Sequence, residues 1–409
     1  MNDKIIIKFK KLIFMELGWI DFSKTERDKV FNVLDLLGEQ GVLDELGIAT
    51  IRDGFSDILF PGTSTIQTRA KYFLIVPYAL KDLEFNKDIK INNLNKTLDS
   101  KEAECSKILN SKHSESGIIG RNAILLDSWV QRPPSNIYLA GLKRYGIFNF
   151  KSINHYLKFI SSQKQEKLNN HDLGYINEAD EGVQDDEHSP VNHFSQLLNI
   201  PTYNKGWMED LDINLTNDES QFLKNQIITN CKGSMLSYIL ENNMSEIVDL
   251  DSITDLSVII DKFPEQIQRD YHIAMEFSEF IFVLRVVYNL IVSNWENKKA
   301  INYYNSFEDN LDFISNINIT QIMMRLNINN RNLKNFLETS KKLMKKGDIE
   351  GLSSCIKNRE IQLKGINRAR LAHVGEFNKN EWFAGERLNY RFGNVKIILE
   401  DIFNSLGDD

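Results

Sequence analysis

The sequence predicts a mainly α-helical protein: an amino-terminal helix-turn-helix-like module with at most a small β element, followed by a carboxy-terminal helical bundle. Three observations support this fold class. Only 21 glycines and 7 prolines in 409 residues leave few sites for tight turns. Apolar residues recur at helical spacing between capping signals. No strand-like segments alternate with the helical ones, so a parallel sheet is not expected.

The length predicts more than one domain, because a domain usually holds about 100–200 residues. Lys8, Lys10 and Lys11 interrupt the first apolar run too early for a signal peptide. The stretch 172–187 contains seven acidic residues and no basic one, which is typical of a solvated linker. The predicted order is an amino-terminal extension at 1–14, a helical, helix-turn-helix-like module at 15–170, an acidic linker or loop at 171–205, and a carboxy-terminal helical domain at 206–409.

Two amino-terminal helices are predicted from their start and stop signals. Ser23 and Glu26 form a capping box, in which each side chain satisfies a free backbone amide, and Gly41 is placed to end that helix. A second helix carries apolar residues from Leu46 to a Phe-Pro-Gly stop at 60–62.

A third helix is predicted from a second capping box, at Ser64 and Gln67, and Pro77 should kink it or end it near Val76. Two helices joined by a short glycine-containing turn form a helix-turn-helix geometry. The amino-terminal module is therefore expected to resemble a nucleic-acid-binding unit.

The remaining elements follow in chain order, and almost all are helices. The segment Ser116 to Arg121, with two glycines, is expected to be a short strand or a turn. The predicted helices run from about Leu98 to Leu109, Pro133 to Gly146, Ile153 to Lys164, Asn217 to Asn230, Ser234 to Asn242, Pro264 to about Trp295, Arg331 to Lys346, Ile349 to Leu363 and Leu388 to Leu406.

The overall charge excludes a strongly basic nucleic-acid wrapper. The chain has 49 basic and 57 acidic residues, a net charge of −8, so a nucleic-acid site has to be a local patch. The three cysteines lie far apart and predict free thiols in a reducing, cytoplasmic compartment. The stretch Phe277 to Val292 is too short and too charged to span a bilayer. We expect no membrane association, no metal and no cofactor.

The predicted third helix supplies the first candidate site. Thr65, Thr68, Arg69 and Tyr72 would form one stripe, with Lys71 beside it, near a helix amino end that attracts phosphate oxygens. The stretch 58–81 contains no acidic residue. Nucleic-acid contact, contact with a protein partner and ordinary capping all fit this pattern.

Two further segments are locally basic. Arg121 and Arg132 belong to a stretch that interleaves basic and aromatic residues, a pattern suited to backbone contact with base stacking, although a normal helical surface would look alike. The stretch 331–346 contains six basic residues and one acid, which is usually a solvated face.

Signals of catalysis are sparse. Arg368 and His373 resemble the Arg-x4-His element of the HEPN ribonuclease superfamily, in which the two side chains serve attack of a 2′-hydroxyl on the adjacent phosphodiester. Here Ala369 stands where a polar residue usually follows the arginine. Phosphate loops, nucleophile elbows and triads are missing from the sequence, so the protein is expected to be non-enzymatic.

The chain also resembles a prokaryotic family of unknown function, through a GWIDFS motif at 18–23 and FPGTSTIQTRA at 60–70. Similar segments lie at 132–138 and 388–391. The resemblance implies a cytoplasmic protein encoded among antiviral-defence genes, beside helicases and phospholipase-D-like proteins.

These observations leave three hypotheses. The first is a non-enzymatic nucleic-acid-binding subunit of a prokaryotic, antiviral-defence complex, with DNA favoured over RNA and a helicase or nuclease subunit as partner. The second is a protein-interaction scaffold that binds no nucleic acid. The third is a HEPN-like ribonuclease that uses Arg368 and His373.

Overall fold

The computed structural model describes residues 44–85, 93–113, 117–126, 128–172, 197–307 and 317–407. Within these ranges the chain is mainly α, as predicted, and its only β feature is an antiparallel bridge between Phe148 and Leu198. The α-helices are α1 (Ala49–Leu59), α2 (Tyr72–Phe85), α3 (Leu94–Lys112), α4 (Arg121–Leu125), α5 (Pro134–Arg144), α6 (Ile153–Asp172), α7 (Asn217–Asn230), α8 (Met235–Glu241), α9 (Glu265–Val292), α10 (Lys298–Phe307), α11 (Ile319–Arg325), α12 (Arg331–Lys345), α13 (Ile349–Lys364) and α14 (Phe392–Leu406). The same ranges contain four short 3-10 helices, at Ser245–Asp249, Ile253–Val258, Ile260–Lys262 and Arg370–Ala372.

The central element is α9, a 28-residue helix that is about 42 Å long. Every residue from Phe280 to Leu290 is buried, so the helix is covered on all sides. It packs against α1, α10 and α13. The sequence prediction of a long core helix from Pro264 to about Trp295 is confirmed.

An irregular segment, the strap at 379–390, lies along α9 and runs antiparallel to it. Polar side chains on and just after α9 bind the backbone of the strap at successive positions, and at one end the side chain of Tyr390 on the strap binds the backbone of α9. Because the strap has no regular secondary structure, its buried backbone groups depend on these side chains. From one end to the other, Asn297 donates to Lys379 O, Asn289 pairs with both backbone groups of Phe383, Arg285 donates to Glu386 O, Ser278 pairs with Leu388, and Tyr390 donates to Ala274 O.

Residues from both ends of the described chain share one hydrophobic core. The core cluster extends from Leu46 to Ile402. Helix α1 packs against α9, and the last helix, α14, packs against α7. The division at 171–205 stays a prediction, and residues 173–196 of the predicted linker lie outside the described ranges, as do the GWIDFS motif and the Ser23 capping box.

The predicted start of the third helix is wrong. Residues 64–71 are not helical, and α2 begins at Tyr72. Gln67 Oε1 does accept from Ser64 N (3.0 Å), as in a capping box, but the amides of Thr68 and Arg69 both donate to the Tyr138 hydroxyl. A tertiary acceptor thus competes with the helix for these amides.

Of the two predicted effects of Pro77, the end near Val76 is wrong, because α2 continues through Pro77 to Phe85, whereas the kink stays a prediction. Pro inside a helix costs about 3 kcal/mol. The residues around it, from Phe73 to Leu80, are almost fully buried, so burial of apolar surface offsets that cost.

A buried carboxylate joins α3 to α5. Glu102 is fully buried, and its two oxygens accept from Ser135 N (2.6 Å) and Ser135 Oγ (3.1 Å) at the start of α5. Burial raises the pKa of Glu102 to about 8, although both bonds from Ser135 lower it.

This carboxylate should make stability depend on pH. Its pKa is higher in the folded state, about 8, than the ordinary value of 4.5, so the free energy of unfolding should fall as the pH rises from about 4.5 to about 8. Urea unfolding of the wild type and Glu102→Gln across this range tests the effect, since the amide does not titrate. The variant should lose part of the pH slope; identical slopes would contradict the assignment.

Candidate nucleic-acid interface

The predicted contact residue Thr68 is held by partners distant in sequence. Thr68 Oγ1 donates to Gly117 O (2.6 Å), and Thr68 N donates to the Tyr138 hydroxyl (2.8 Å). Tyr138 is fully buried, and burial raises its pKa to about 12. Thr65 is exposed. The predicted stripe required Thr65 and Thr68 to share one face of a helix. In the structure they do not.

Arg69 forms a buried ion pair with Asp401 on α14. Arg69 Nη2 lies 2.8 Å from Asp401 Oδ1, and Nε donates to the same carboxylate at 2.9 Å. Ala70 N donates to Asp401 Oδ2 (2.7 Å). The two side chains are only 12% and 7% exposed. Burial raises the pKa of Asp401, whereas Arg69 and the Ala70 amide lower it.

The other residues of the predicted site are also engaged in the interior. Lys71 is buried and lies 2.6 Å from Glu219 on α7. Tyr72 is fully buried, and its hydroxyl accepts from Ile119 N (2.8 Å). Two cations of the acid-free stretch 58–81, Arg69 and Lys71, therefore receive their acidic partners from distant parts of the chain, whereas Lys81 pairs with the nearby Glu84.

The loop 60–71 is a junction between helices. Arg391 at the start of α14 donates to Thr63 O (2.8 Å), and Asn394 donates to Gln67 O (2.8 Å). Gly62 has a left-handed φ of 81°, and a Cβ there would lie 2.5 Å from the ring of Tyr145. Most of the FPGTSTIQTRA segment thus joins α14 to the amino-terminal helices.

The second basic segment offers fewer stacking groups than the sequence suggested. Tyr138 and Tyr145 are fully buried, and Trp129 is half-buried. Arg121 is half-buried at the start of α4, whereas Arg132 is exposed. Of the predicted contact residues, Arg132 and Thr65 are well exposed. That they contact nucleic acid stays a prediction.

Arg368 and His373 lie on the irregular chain after α13. Arg368 Nε donates to Lys364 O (3.0 Å), and His373 Nε2 lies 3.1 Å from Ile366 O. His373 Nδ1 lies 3.7 Å from Glu376 Oε1. Both side chains thus contact neighbours in sequence, and their catalytic use stays a prediction.

The third basic segment forms an exposed cationic surface. The apolar face of α12 is buried, with Leu333, Phe336 and Leu337 against the core, and the Asn330 side chain caps its start. The opposite side is exposed or half-buried, and we refer to its basic residues as the cationic face of α12. These residues are Arg331, Lys334, Lys341, Lys342, Lys345 and Lys346.

The cationic face differs from the stretch 58–81, whose cations Arg69, Lys71 and Lys81 all make ion pairs. Lys341 donates to Ile317 O, and none of the six residues makes an ion pair with any residue that the structure describes. The sequence shows that the stretch 331–346 is rich in cations and has a single acid, Glu338. It does not show that these cations lack ion pairs, whereas the cations of 58–81 have them.

Within the described ranges, histidine, cysteine, aspartate and glutamate side chains do not gather into a group able to hold a metal ion. Among the same residues, every helix is too short or too polar to cross a membrane.

Comparison with known proteins gives one result, which concerns the family. No curated protein and no solved structure matches the chain. The model of a family of unknown function, DUF6361, matches residues 14–337, a range that includes both motifs noted in the sequence. Because this match covers well over half of the chain, the protein belongs to the DUF6361 family of unknown function.

Proposed function

We propose that the protein is a non-enzymatic nucleic-acid-binding subunit and that the cationic face of α12 contacts the phosphate backbone of DNA. The observation that carries the proposal is that four of these six cations are exposed and two half-buried, and that none makes an ion pair with the described residues, whereas Arg69 and Lys71 are buried in ion pairs. Arg69, Lys71 and Tyr72 therefore have no place in the proposed interface.

The shape of the cationic face suits a phosphate backbone. The helix is 15 residues and therefore about 22 Å long, and its cations lie on one side, in two groups before and after Glu338. Lysine and arginine that neutralise phosphates release bound counterions, which favours association at low salt. Since the net charge of the chain is −8, such binding should be confined to a small surface.

A non-enzymatic role is supported by the surroundings of the two predicted catalytic residues. Arg368 contacts the carbonyl oxygen of Lys364, and His373 contacts the carbonyl oxygen of Ile366. We propose binding without cleavage, in a complex that includes a helicase or nuclease subunit.

Fluorescence anisotropy with a labelled DNA duplex across a salt series tests the proposal. Lys342→Gln/Lys345→Gln/Lys346→Gln should weaken binding at low salt. It should also make the slope of log K against log salt less negative by roughly 0.9 for each phosphate that is no longer neutralised. These residues are solvent-facing, so the fold should persist.

The matched control is Lys262→Gln/Arg269→Gln/Lys379→Gln, which removes the same charge from exposed cations that pair with Glu246, Glu265 and Glu296. The control should bind like the wild type. Equal weakening in both variants would show a response to net charge alone and would contradict an interface at α12. Binding of the matching RNA with higher affinity would overturn the choice of DNA.

A protein-interaction scaffold is the second candidate function. It is favoured by two adjacent exposed leucines at the end of α4, Leu125 at 75% and Leu126 at 79% exposed. The same titration separates the two functions: no binding of DNA or RNA at low salt would overturn the first and support the scaffold.

A further inference from the structure

A cleft of about 440 Å³ lies apart from α12, between α2, the loop 201–207 and the first turns of α7. Its apolar part is formed by Tyr78, Trp207 and Phe222. The Tyr78 and Trp207 ring centroids lie 5.4 Å apart. The volume is within the range of small-molecule sites, which combine apolar walls with a few polar groups.

Tyr78 supplies a polar group without a partner. Its side chain is only 6% exposed, yet its hydroxyl makes no hydrogen bond with any residue that the structure describes. Burial, together with the nearby carboxylate of Glu219, raises the pKa of Tyr78, so this hydroxyl stays protonated. Because Tyr78 lines the cleft and its hydroxyl makes no bond to a described residue, a ligand in the cleft can pair with this hydroxyl.

The charge of the cleft is negative. Its lining includes Asp218 and Glu219 but no lysine or arginine. Lys71 already neutralises Glu219, at 2.6 Å. Asp218 is exposed at the start of α7, and its carboxylate has no ion pair or hydrogen bond within the described part of the chain. A phosphate or carboxylate ligand would be repelled here, whereas a cation would be attracted.

We propose that this cleft binds a small organic ammonium ion, such as an aliphatic polyamine. The ammonium group pairs with Asp218 and donates to the Tyr78 hydroxyl, while methylene groups lie on the aromatic side chains. Carboxylate and aromatic groups together are the chemistry that recognises such cations. This site is independent of the proposed DNA interface.

Isothermal titration calorimetry of the full chain with spermidine tests the proposal. Asp218→Asn should weaken binding about tenfold, which corresponds to removal of one ion pair in a partly enclosed site. Tyr78→Phe keeps the buried ring and removes only the hydroxyl, and it should weaken binding by roughly threefold to tenfold.

The control is Asp251→Asn, which removes an exposed carboxylate outside the cleft. It should bind spermidine as the wild type does, because the net charge changes equally in both Asp→Asn variants. No measurable binding, or equal weakening in Asp218→Asn and Asp251→Asn, would overturn the proposal. Tighter binding of an uncharged sugar such as glucose would overturn the assignment of the ligand as a cation.

Discussion

Asp401→Ala should lower the free energy of unfolding by about 3–5 kcal/mol, because it leaves the Arg69 guanidinium without its carboxylate in the interior. The side chains of Arg69 and Asp401 are 12% and 7% exposed, so water replaces little of the missing interaction. The amide of Ala70 loses its acceptor as well. The measurement is urea unfolding followed by circular dichroism, with the midpoint expected to fall.

The matched control for Asp401→Ala is Glu246→Ala. It breaks the Lys262–Glu246 pair, whose side chains are 60% and 50% exposed. Exposed pairs contribute about 0–1 kcal/mol, so the midpoint should hardly move. Asp401→Asn keeps the shape but loses the charge and should fall between the two. Equal small effects of Asp401→Ala and Glu246→Ala would show that the junction contributes little to stability.

Asn289→Ala should destabilise the protein by about 3 kcal/mol and release the strap. Asn289 is fully buried, accepts from Phe383 N (2.6 Å) and donates to Phe383 O (2.7 Å). Each buried backbone group that loses its partner costs about 1–3 kcal/mol. Urea unfolding measures the global effect, and hydrogen exchange of the Phe383 amide measures the local one.

Asn225→Ala is the control for this variant, since Asn225 is exposed on α7 and, among the described residues, its side chain bonds only Gln221 (3.1 Å). Its effect on the urea midpoint should be small, and exchange of the Phe383 amide should be unchanged. Unaltered protection of that amide in Asn289→Ala would contradict the role assigned to Asn289 in holding the strap.

Local signals in the sequence predicted much of the helical fold. Helix α7 begins and ends at the predicted residues, Asn217 and Asn230, and in the structure a capping box of Thr216 with Glu219 starts it. Helix α12 was predicted from Arg331 to Lys346 and ends one residue earlier. In both helices the residues that set the boundary lie within the helix or next to it, so neighbours in sequence suffice.

The start of α2 was not predictable in this way. The Tyr138 hydroxyl that takes the amides of Thr68 and Arg69 comes from about 70 residues further along the chain. The strap is a similar case, because the partners of its backbone are side chains 82 to 110 residues away. The residue pattern within one segment does not show which distant side chains will bind it.

In the candidate site, too, the charge of the surface could not be predicted from neighbouring residues alone. Counting residues from 58 to 81 indicated a positive surface, yet Lys71 meets Glu219 and Arg69 meets Asp401 in the interior. On α12, by contrast, amphipathic spacing alone predicts which side faces solvent. The net charge of a segment therefore predicts a charged surface only where the spacing of the apolar residues also shows which side chains are exposed.

The Arg69–Asp401 pair also has a consequence for synthesis. The two residues are 332 positions apart, and ribosomes add roughly 5–20 residues per second, so Arg69 emerges about 20–60 s before its partner. During that interval the loop 60–71 cannot take its final form on the ribosome. The junction is therefore closed only after translation of α14, so the final form of the loop 60–71 depends on a residue made 332 positions later.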